Sequence, residues 1–291
     1  MNSIHLPYPK ATLEEYGYKN HVILKTLWRI LKVLLVAFSV FMLYISIVLI
    51  AIQSFNSSAS TTEFTGFTFQ NYVDMFSKRS LTNAISNTFL VSIMATLIAA
   101  VAGTFIAIGI FYLPPKLKGR ILLLNNIPLL NADIVTGISL MLIFSLFLPL
   151  HRQLFGFTTI LIAHIFFILP YIILSVLPKM KEMDPNLMDA AMDLGVRPFR
   201  SVLKVVLPAV AGGVFSGVVL AFTISFEDFV VGYFTTGNGF NTLSIWIYTS
   251  IGRKSLFPGV YAFSTVLTLS FIVLVVVYYF ARGGHRREKK N

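Results

Sequence analysis

The stretch Glu182-Met183-Asp184-Pro185-Asn186-Leu187-Met188-Asp189-Ala190-Ala191-Met192-Asp193-Leu194-Gly195 decides how the chain is read. It is short and polar, and it stands between two strongly apolar runs, Thr158 to Leu177 and Val205 to Phe226. Asp184 suits an N-cap, Pro185 the first helical position and Gly195 the C′ stop. These signals frame a helix of about ten residues, about 15 Å long and half of what a bilayer crossing needs. Leu187, Ala190, Ala191 and Leu194 recur at i, i+3, i+4 and i+7 and make one apolar stripe. Two of the four are alanines, so another surface can approach closely. By itself the segment fits either an interfacial helix on the membrane or a docking helix in a partner's groove. Pro198 signals a second helix start, and Pro208 the start of the next span.

The flanking runs belong to a set of six. A crossing needs about 20 predominantly apolar residues. The runs are Val33 to Ile52, about Asn87 to Phe111, about Ile134 to Leu150, Thr158 to Leu177, Val205 to Phe226 and Tyr261 to Ala281. The third is short. Pro128, Asn131 and Asp133 interrupt its approach, and a start as early as Ile121 is open. The first has no charge and no small-x-small site after it, so it reads as a signal anchor rather than a cleaved leader.

Composition agrees. Of 291 residues 56% are hydrophobic and 12% charged, with a mean hydropathy of +0.79, whereas a soluble domain carries roughly 25% charged residues. The absence of cysteine excludes a disulfide framework, an iron–sulfur cluster and thiol chemistry. The formal net charge of +11 has a membrane explanation. Lys and Arg number 18 in the N-terminal tail, the second and fourth connections and the C-terminus, against 5 in the other segments. That is the positive-inside pattern of six spans with both termini in the cytoplasm. It accounts for the basic balance without nucleic acid, and the bilayer is the first partner.

Catalytic signatures are missing. There is no G-x-x-x-x-G-K-[ST], H-E-x-x-H, G-x-S-x-G or G-x-G-x-x-G. Gly237-Asn238-Gly239 reads as a turn. The five histidines, His5, His21, His151, His164 and His285, are scattered, and no two have metal-ligand spacing. No catalytic residue, metal site or resident cofactor is expected, and the chain is not expected to be a self-contained enzyme.

Asp189-Ala190-Ala191, Gly195 and then Val205-Val206-Leu207-Pro208 resemble the E-A-A-x-x-x-G … I-x-L-P signature of permease subunits of binding-protein-dependent ABC importers. Asp189 replaces the usual Glu, and Val206 stands where Ile is common. The resemblance implies an all-α, polytopic membrane protein with the six transmembrane helices of the type I ABC importer (MetI-like) permease fold. It implies that Asp189, Ala190, Ala191 and Gly195 form a coupling helix, with Leu187 and Leu194 on the docking stripe. It also implies a second homologous permease subunit, two copies of an ATP-binding subunit that hold ATP and Mg, an extracytoplasmic substrate-binding protein, and a place in the bacterial cytoplasmic membrane.

A second resemblance concerns cargo. Ala132-Asp133-Ile134-Val135-Thr136-Gly137-Ile138-Ser139-Leu140 is similar to a P-D-I-V-x-x-I-S-L stretch of spermidine/putrescine permeases, and Ser225-Phe226-Glu227-Asp228 to their S-F-D-D. Permeases for iron, thiamine and anions share parts of these patterns, so those cargoes are the alternatives. An ATP-independent channel or carrier and a membrane scaffold are the alternatives of other classes. The chemistry suits a polyamine. A flexible chain of ammonium groups calls for carboxylates and aromatic faces. Asp133, Glu227 and Asp228 are the acidic residues in or beside a span after the first, with Phe226, Phe229, Tyr233, Trp246 and Tyr248 near the last two. Each has a plainer reading. Asp133 can cap the third span, Glu227 and Asp228 can sit at the outer interface, and Trp246 and Tyr248 can belong to an aromatic belt.

Residues 1–32 are read as a cytoplasmic tail, 33–282 as the transmembrane domain with the cytoplasmic coupling loop at 179–204, and 283–291 as a basic tail. Asn56 to Thr62 carries no folding signal. Leu243 to Ile251 is too short to span and reads as a re-entrant or interfacial helix. Gly103, Gly109, Gly212, Gly213 and Gly217 are expected to allow close helix packing.

Overall fold

The computed structural model describes residues 10–58, 63–147, 155–184, 186–237, 239–251 and 257–288. Among these the helices are α1 (Lys10–Ser54), α2 (Gln70–Ser77), α3 (Arg79–Phe111), α4 (Pro115–Leu130), α5 (Asp133–Ser145), α6 (Phe157–Glu182), α7 (Leu187–Asp193), α8 (Pro198–Ser201), α9 (Leu207–Glu227), α10 (Val230–Thr235), α11 (Leu243–Ile251) and α12 (Gly259–Glu288). A π-helical turn, Val202–Val206, joins α8 to α9. The described residues contain no β-strand, only an isolated antiparallel bridge between Asn56 and Phe67.

Five helical segments are long and apolar enough to cross a membrane, or six if the bent pair α4–α5 counts as one crossing. The third span is therefore not a single rod. Its two halves meet at 105°. Asn131 and Ala132 are both extended, with ψ near 147° and 139°, so the i→i−4 ladder stops there. At 13 residues α5 is only about 20 Å long, too short to cross alone. The end expected for this span, 148–150, and the loop residues His151 and Arg152 lie outside the described residues.

The chain divides into two compact units, one made of the segments before Asp74 and after Leu256, the other of Asp74–Leu256. In the first, α12 packs on α1. Most of the large apolar side chains of α1 from Leu24 to Ile52, and those of α12 from Leu269 to Val277, are exposed. A helix that is apolar all round belongs in lipid or against another apolar surface. The expected tail boundary at Lys32 is not a helix end, because α1 runs unbroken from Lys10. Beyond α1, Asn56 is a hub rather than a featureless start. Its amide donates to the Glu63 carbonyl at 2.8 Å, and its Oδ1 accepts the Thr65 N–H at 3.2 Å. Asn71 closes the turn by donating to the carbonyls of Ser54 and Asn56. The rest of that stretch, 59–62, lies outside the described residues.

The second unit is built on α3, α6 and α9, which pack on one another around Ile168, Ile172, Val176, Met180 and Val210. In lipid, apolar burial gives little drive for helix association, so close packing of small residues must supply it. A β-carbon on Gly103 would stand 2.8 Å from Ile172 Cγ2, and one on Gly213 would stand 2.8 Å from the Ser175 carbonyl oxygen. Gly217 meets Ser175 Cβ at 3.1 Å in the same way. Gly109 and Gly212 depart from expectation. Among the described residues nothing lies within 4 Å of a β-carbon at either, so neither seats a neighbour there.

The helix before Pro208 also differs from expectation. It starts at Pro198 and continues through the π turn into α9. Leu207 donates its N–H to the Val202 carbonyl, five residues back. Pro208 has no N–H, and its ring would crowd the carbonyl four residues earlier in a regular α turn. The widened turn accommodates it.

Candidate functional site

Asp133, Glu227 and Asp228 line one cavity of about 410 Å³ in the second unit. Each arrives where a helix starts or stops. Asp133 opens α5, at the terminus whose unpaired N–H groups favour a carboxylate. Glu227 is the last residue of α9, and Asp228 follows it with an extended ψ of 132° that ends the helix. Phe167 and Tyr171 of α6 and Phe229 supply aromatic wall, and among the described residues neither Lys nor Arg lines the cavity. Asp133 and Glu227 are open to the cavity.

Asp228 is different. Its side chain is 7% exposed. Its Oδ1 accepts the Val231 N–H at 3.2 Å and its Oδ2 the Gly232 N–H at 2.7 Å, so it caps α10. Beside it lies His164 of α6, 1% exposed. His164 Nδ1 is 2.7 Å from Ser225 Oγ, and Nε2 is 3.5 Å from Asp228 Oδ2 with no hydrogen-bond partner among the described residues. Gly232 permits this closeness, since a β-carbon there would lie 3.1 Å from Asp228 Oδ2.

The second candidate region is the loop around α7. The helix is shorter than expected, with seven residues beginning at Leu187. The reason is Asp184. Its Oδ1 accepts the Asn186 N–H at 2.9 Å, a local turn that delays the helix. Pro185, expected at the first helical position, lies outside the described residues. The C-terminus is as expected. Gly195 has φ +81°, and the N–H groups of Gly195 and Val196 donate to the carbonyls of Met192 and Ala191, closing a Schellman motif. The stripe does not all face one way. Leu187, Asp189, Ala190 and Leu194 are exposed, Leu194 at 85%, but Ala191 is 8% exposed and turned into the chain with Met188. Ala191 is thus a seat for the helix and not part of its outer face. Asp189 also acts on Tyr112 at the end of α3, whose phenol is pushed above its ordinary range first by burial and then by that carboxylate.

Residues 118–286 match the family described as binding-protein-dependent transport system inner membrane component. The chain belongs to this permease family.

Among its relatives is the spermidine/putrescine transport system permease protein PotC of Escherichia coli strain K12, 32% identical over 225 residues, 77% of this chain and 83% of that protein. The putrescine transport system permease protein PotI of the same strain is 28% identical over 277 residues, 92% of this chain and 96% of that protein. A bacterial ABC transporter that imports the acidic polysaccharide alginate shares the fold. One of its chains superposes with a TM-score of 0.61 at 14% identity, covering 92% of this permease and 99% of that chain. The permease is thus an all-α, multi-pass inner-membrane transport component.

The last two expected site residues of the permease part company. Tyr248 is exposed, with its ring 4.8 Å from Phe229, whose side chain walls the acidic cavity. Trp246 is 8% exposed and does not line that cavity. The Lys78 ammonium sits 5.4 Å from its ring centroid, a cation–π contact at the start of α3. The helix that carries Trp246, α11, is tied to α3 by the Leu243 N–H donating to Thr88 Oγ1 at 2.7 Å. Sequence reading missed His164, Ser225, Phe167 and Tyr171 as neighbours of the carboxylates. Ser225 stood in the quoted stretch before Glu227 without a role, and nothing in the local sequence marks the other three, because α6 reaches the cavity only through the fold.

Proposed function

We propose that the chain is one of two permease subunits of an ATP-driven polyamine importer, and that the acidic cavity lies on the route of the cation. The observation that carries this reading is the convergence of Asp133, Glu227 and Asp228 on one cavity walled by aromatic rings. Carboxylates near hydrocarbon are unfavourable unless they face a cavity, a partner or water. Three of them, with no Lys or Arg among the described lining residues, favour ammonium groups and disfavour anions. Spermidine and putrescine fit this chemistry, and the names of the relatives support them.

The energy comes from outside the chain. In this reading Leu187, Asp189, Ala190 and Leu194 dock in the cleft of an ATP-binding subunit, where ATP and Mg are held. The Lys and Arg distribution supports a cytoplasmic α7 and cytoplasmic termini. Closure of two such ATPases draws the two docking helices together and opens the cavity outward, where a substrate-binding protein delivers the polyamine. A homologous second permease subunit forms the other half of the route.

The test is spermidine uptake and ATP hydrolysis by the intact complex in proteoliposomes. Wild type should show spermidine-stimulated hydrolysis, and Asp133→Asn with Glu227→Gln should lose uptake while the complex still assembles. Stimulation by iron or thiamine but not by polyamines would overturn the cargo. Failure of any ATPase to co-purify would overturn the importer.

A further inference from the structure

We propose that His164 sets the charge that the acidic cavity presents to a cation, through a proton held or released beside Asp228. The proposal rests on the reading of that cavity as a cation route. Its starting point is an unusual pair of partners for a buried imidazole. His164 is 1% exposed, Nδ1 is engaged with Ser225 Oγ at 2.7 Å, and Nε2 faces Asp228 Oδ2 at 3.5 Å without a hydrogen bond. A buried polar nitrogen without a partner is unfavourable and rare in native structures.

Two proton states give this group the same neighbours in different roles, and the added proton goes to Nδ1. With a neutral ring, Nδ1 accepts the Ser225 hydroxyl proton and Nε2–H stands opposite the carboxylate at a distance too long for a good bond. With one more proton the ring becomes a donor at both nitrogens. Nδ1–H then donates to Ser225 Oγ, and Nε2–H donates to Asp228 Oδ2 as a charge-assisted bond. The proton is taken from or returned to water, and no other bond changes. In the first state the cavity wall carries three carboxylate charges. In the second, the imidazolium cancels that of Asp228 and leaves Asp133 and Glu227.

The surroundings single out this pair. The charged and titratable groups on elements packed against α6 include Asp133 on α5, Glu227 and Asp228 at the end of α9, and Tyr233 on α10. Arg79 is the sole charge on α3 and stands at its first residue. Lys116, Lys118 and Arg120 lie in the first turns of α4, and α6 itself carries Tyr171, Lys179, Lys181 and Glu182. Among described residues, Asp228 is the carboxylate within ion-pair distance of His164. His164 touches no cavity space directly. It is a positioning residue, acting through Asp228.

The experiment is uptake of radiolabelled spermidine by the intact complex from pH 5 to 8, the range in which imidazoles change charge. KM and maximal rate are separated at each pH for wild type, His164→Gln, Ser225→Ala and Glu227→Gln. Wild type should lose affinity toward acid pH, with KM rising about fivefold or more, the lower end of couplings between two sites. His164→Gln should flatten this rise while retaining uptake at pH 8. Ser225→Ala keeps the imidazole and Asp228 and serves if His164→Gln does not fold. It should shift the midpoint of the rise, since one partner of the ring is gone. A wild-type KM that does not change with pH overturns the proposal, and so does an unaltered rise in His164→Gln. Glu227→Gln separates the two readings. If it raises KM while His164→Gln behaves as wild type, the cation route stands and the role of His164 falls. If it leaves KM unchanged, the cation route itself falls.

Discussion

Two groups of acidic residues occupy the second unit, and they are opposites. Asp184, Asp189 and Asp193 lie within ten residues of one another, all exposed around a single short helix. Asp133 and the Glu227–Asp228 pair are separated by more than ninety residues, yet they line one cavity. The first group radiates into solvent, where each charge is screened and interacts weakly. The second converges between aromatic walls, where charges act together on whatever enters. Nearness in sequence therefore does not bring carboxylates to one cavity in this protein. Helix ends that the fold brings together do.

The largest test of this contrast is Ala191→Arg against Ala190→Arg. Ala191 is 8% exposed, so an arginine there buries an unpaired charge and should destabilise the loop by about 3 kcal/mol or more. Its neighbour Ala190 is exposed. Arginine at that position should leave the melting temperature within a few degrees of wild type but prevent co-purification of the ATPase. Equal melting losses in both variants would show that α7 has no inner and outer face.

Next comes the seat on which convergence depends. Gly213→Ala would place a methyl 2.8 Å from the Ser175 carbonyl and push α9 off α6, at about 1–3 kcal/mol. Gly212→Ala meets nothing within 4 Å and should be neutral or slightly stabilising. Thermal unfolding in detergent distinguishes the pair.

A smaller effect, on transport alone, is expected from charge removal. Asp133→Asn or Glu227→Gln should reduce spermidine kcat/KM about tenfold, equal to ~1.4 kcal/mol. Asp193→Asn, in the radiating group, should leave it within about twofold, as suits an exposed charge. Equal losses in both groups would erase the contrast. The smallest change is Gly195→Ala. The site has open space but φ +81°, so the penalty is conformational alone, about 1 kcal/mol, read as a lower melting temperature.

Much of the fold was legible because membrane constraints are simple. Apolar runs of sufficient length became α1, α3, α6, α9 and α12, and the Gly195 stop was placed correctly because an αL position strongly prefers glycine. The third span was less legible. Hydropathy sums along the chain, and it does not register an abrupt change of direction at Asn131 and Ala132. The site was legible in half. Carboxylates beside apolar runs stand out, so Asp133, Glu227 and Asp228 could be named. The pairing of His164 with Ser225 could not, since it spans 61 positions and exists only when α6 and α9 pack. The orientation of Ala191 was hidden for a related reason. Periodicity defines a stripe, but only the neighbouring helices decide which edge of it faces inward.

The π turn at Val202–Val206 has a consequence of its own. It holds one more residue than an α turn would need, and it lies between the α7 loop and the long helix that ends at the cavity. Substitutions within it change side chains and leave the winding alone. Losing a single residue would tighten the coil toward an α turn, against the crowding that the Pro208 ring imposes there. It would also turn everything on one side by about 100° relative to the other. The length of this short stretch, more than its composition, therefore sets the direction in which α7 points. Chain length there is the quantity that a functioning permease must keep fixed.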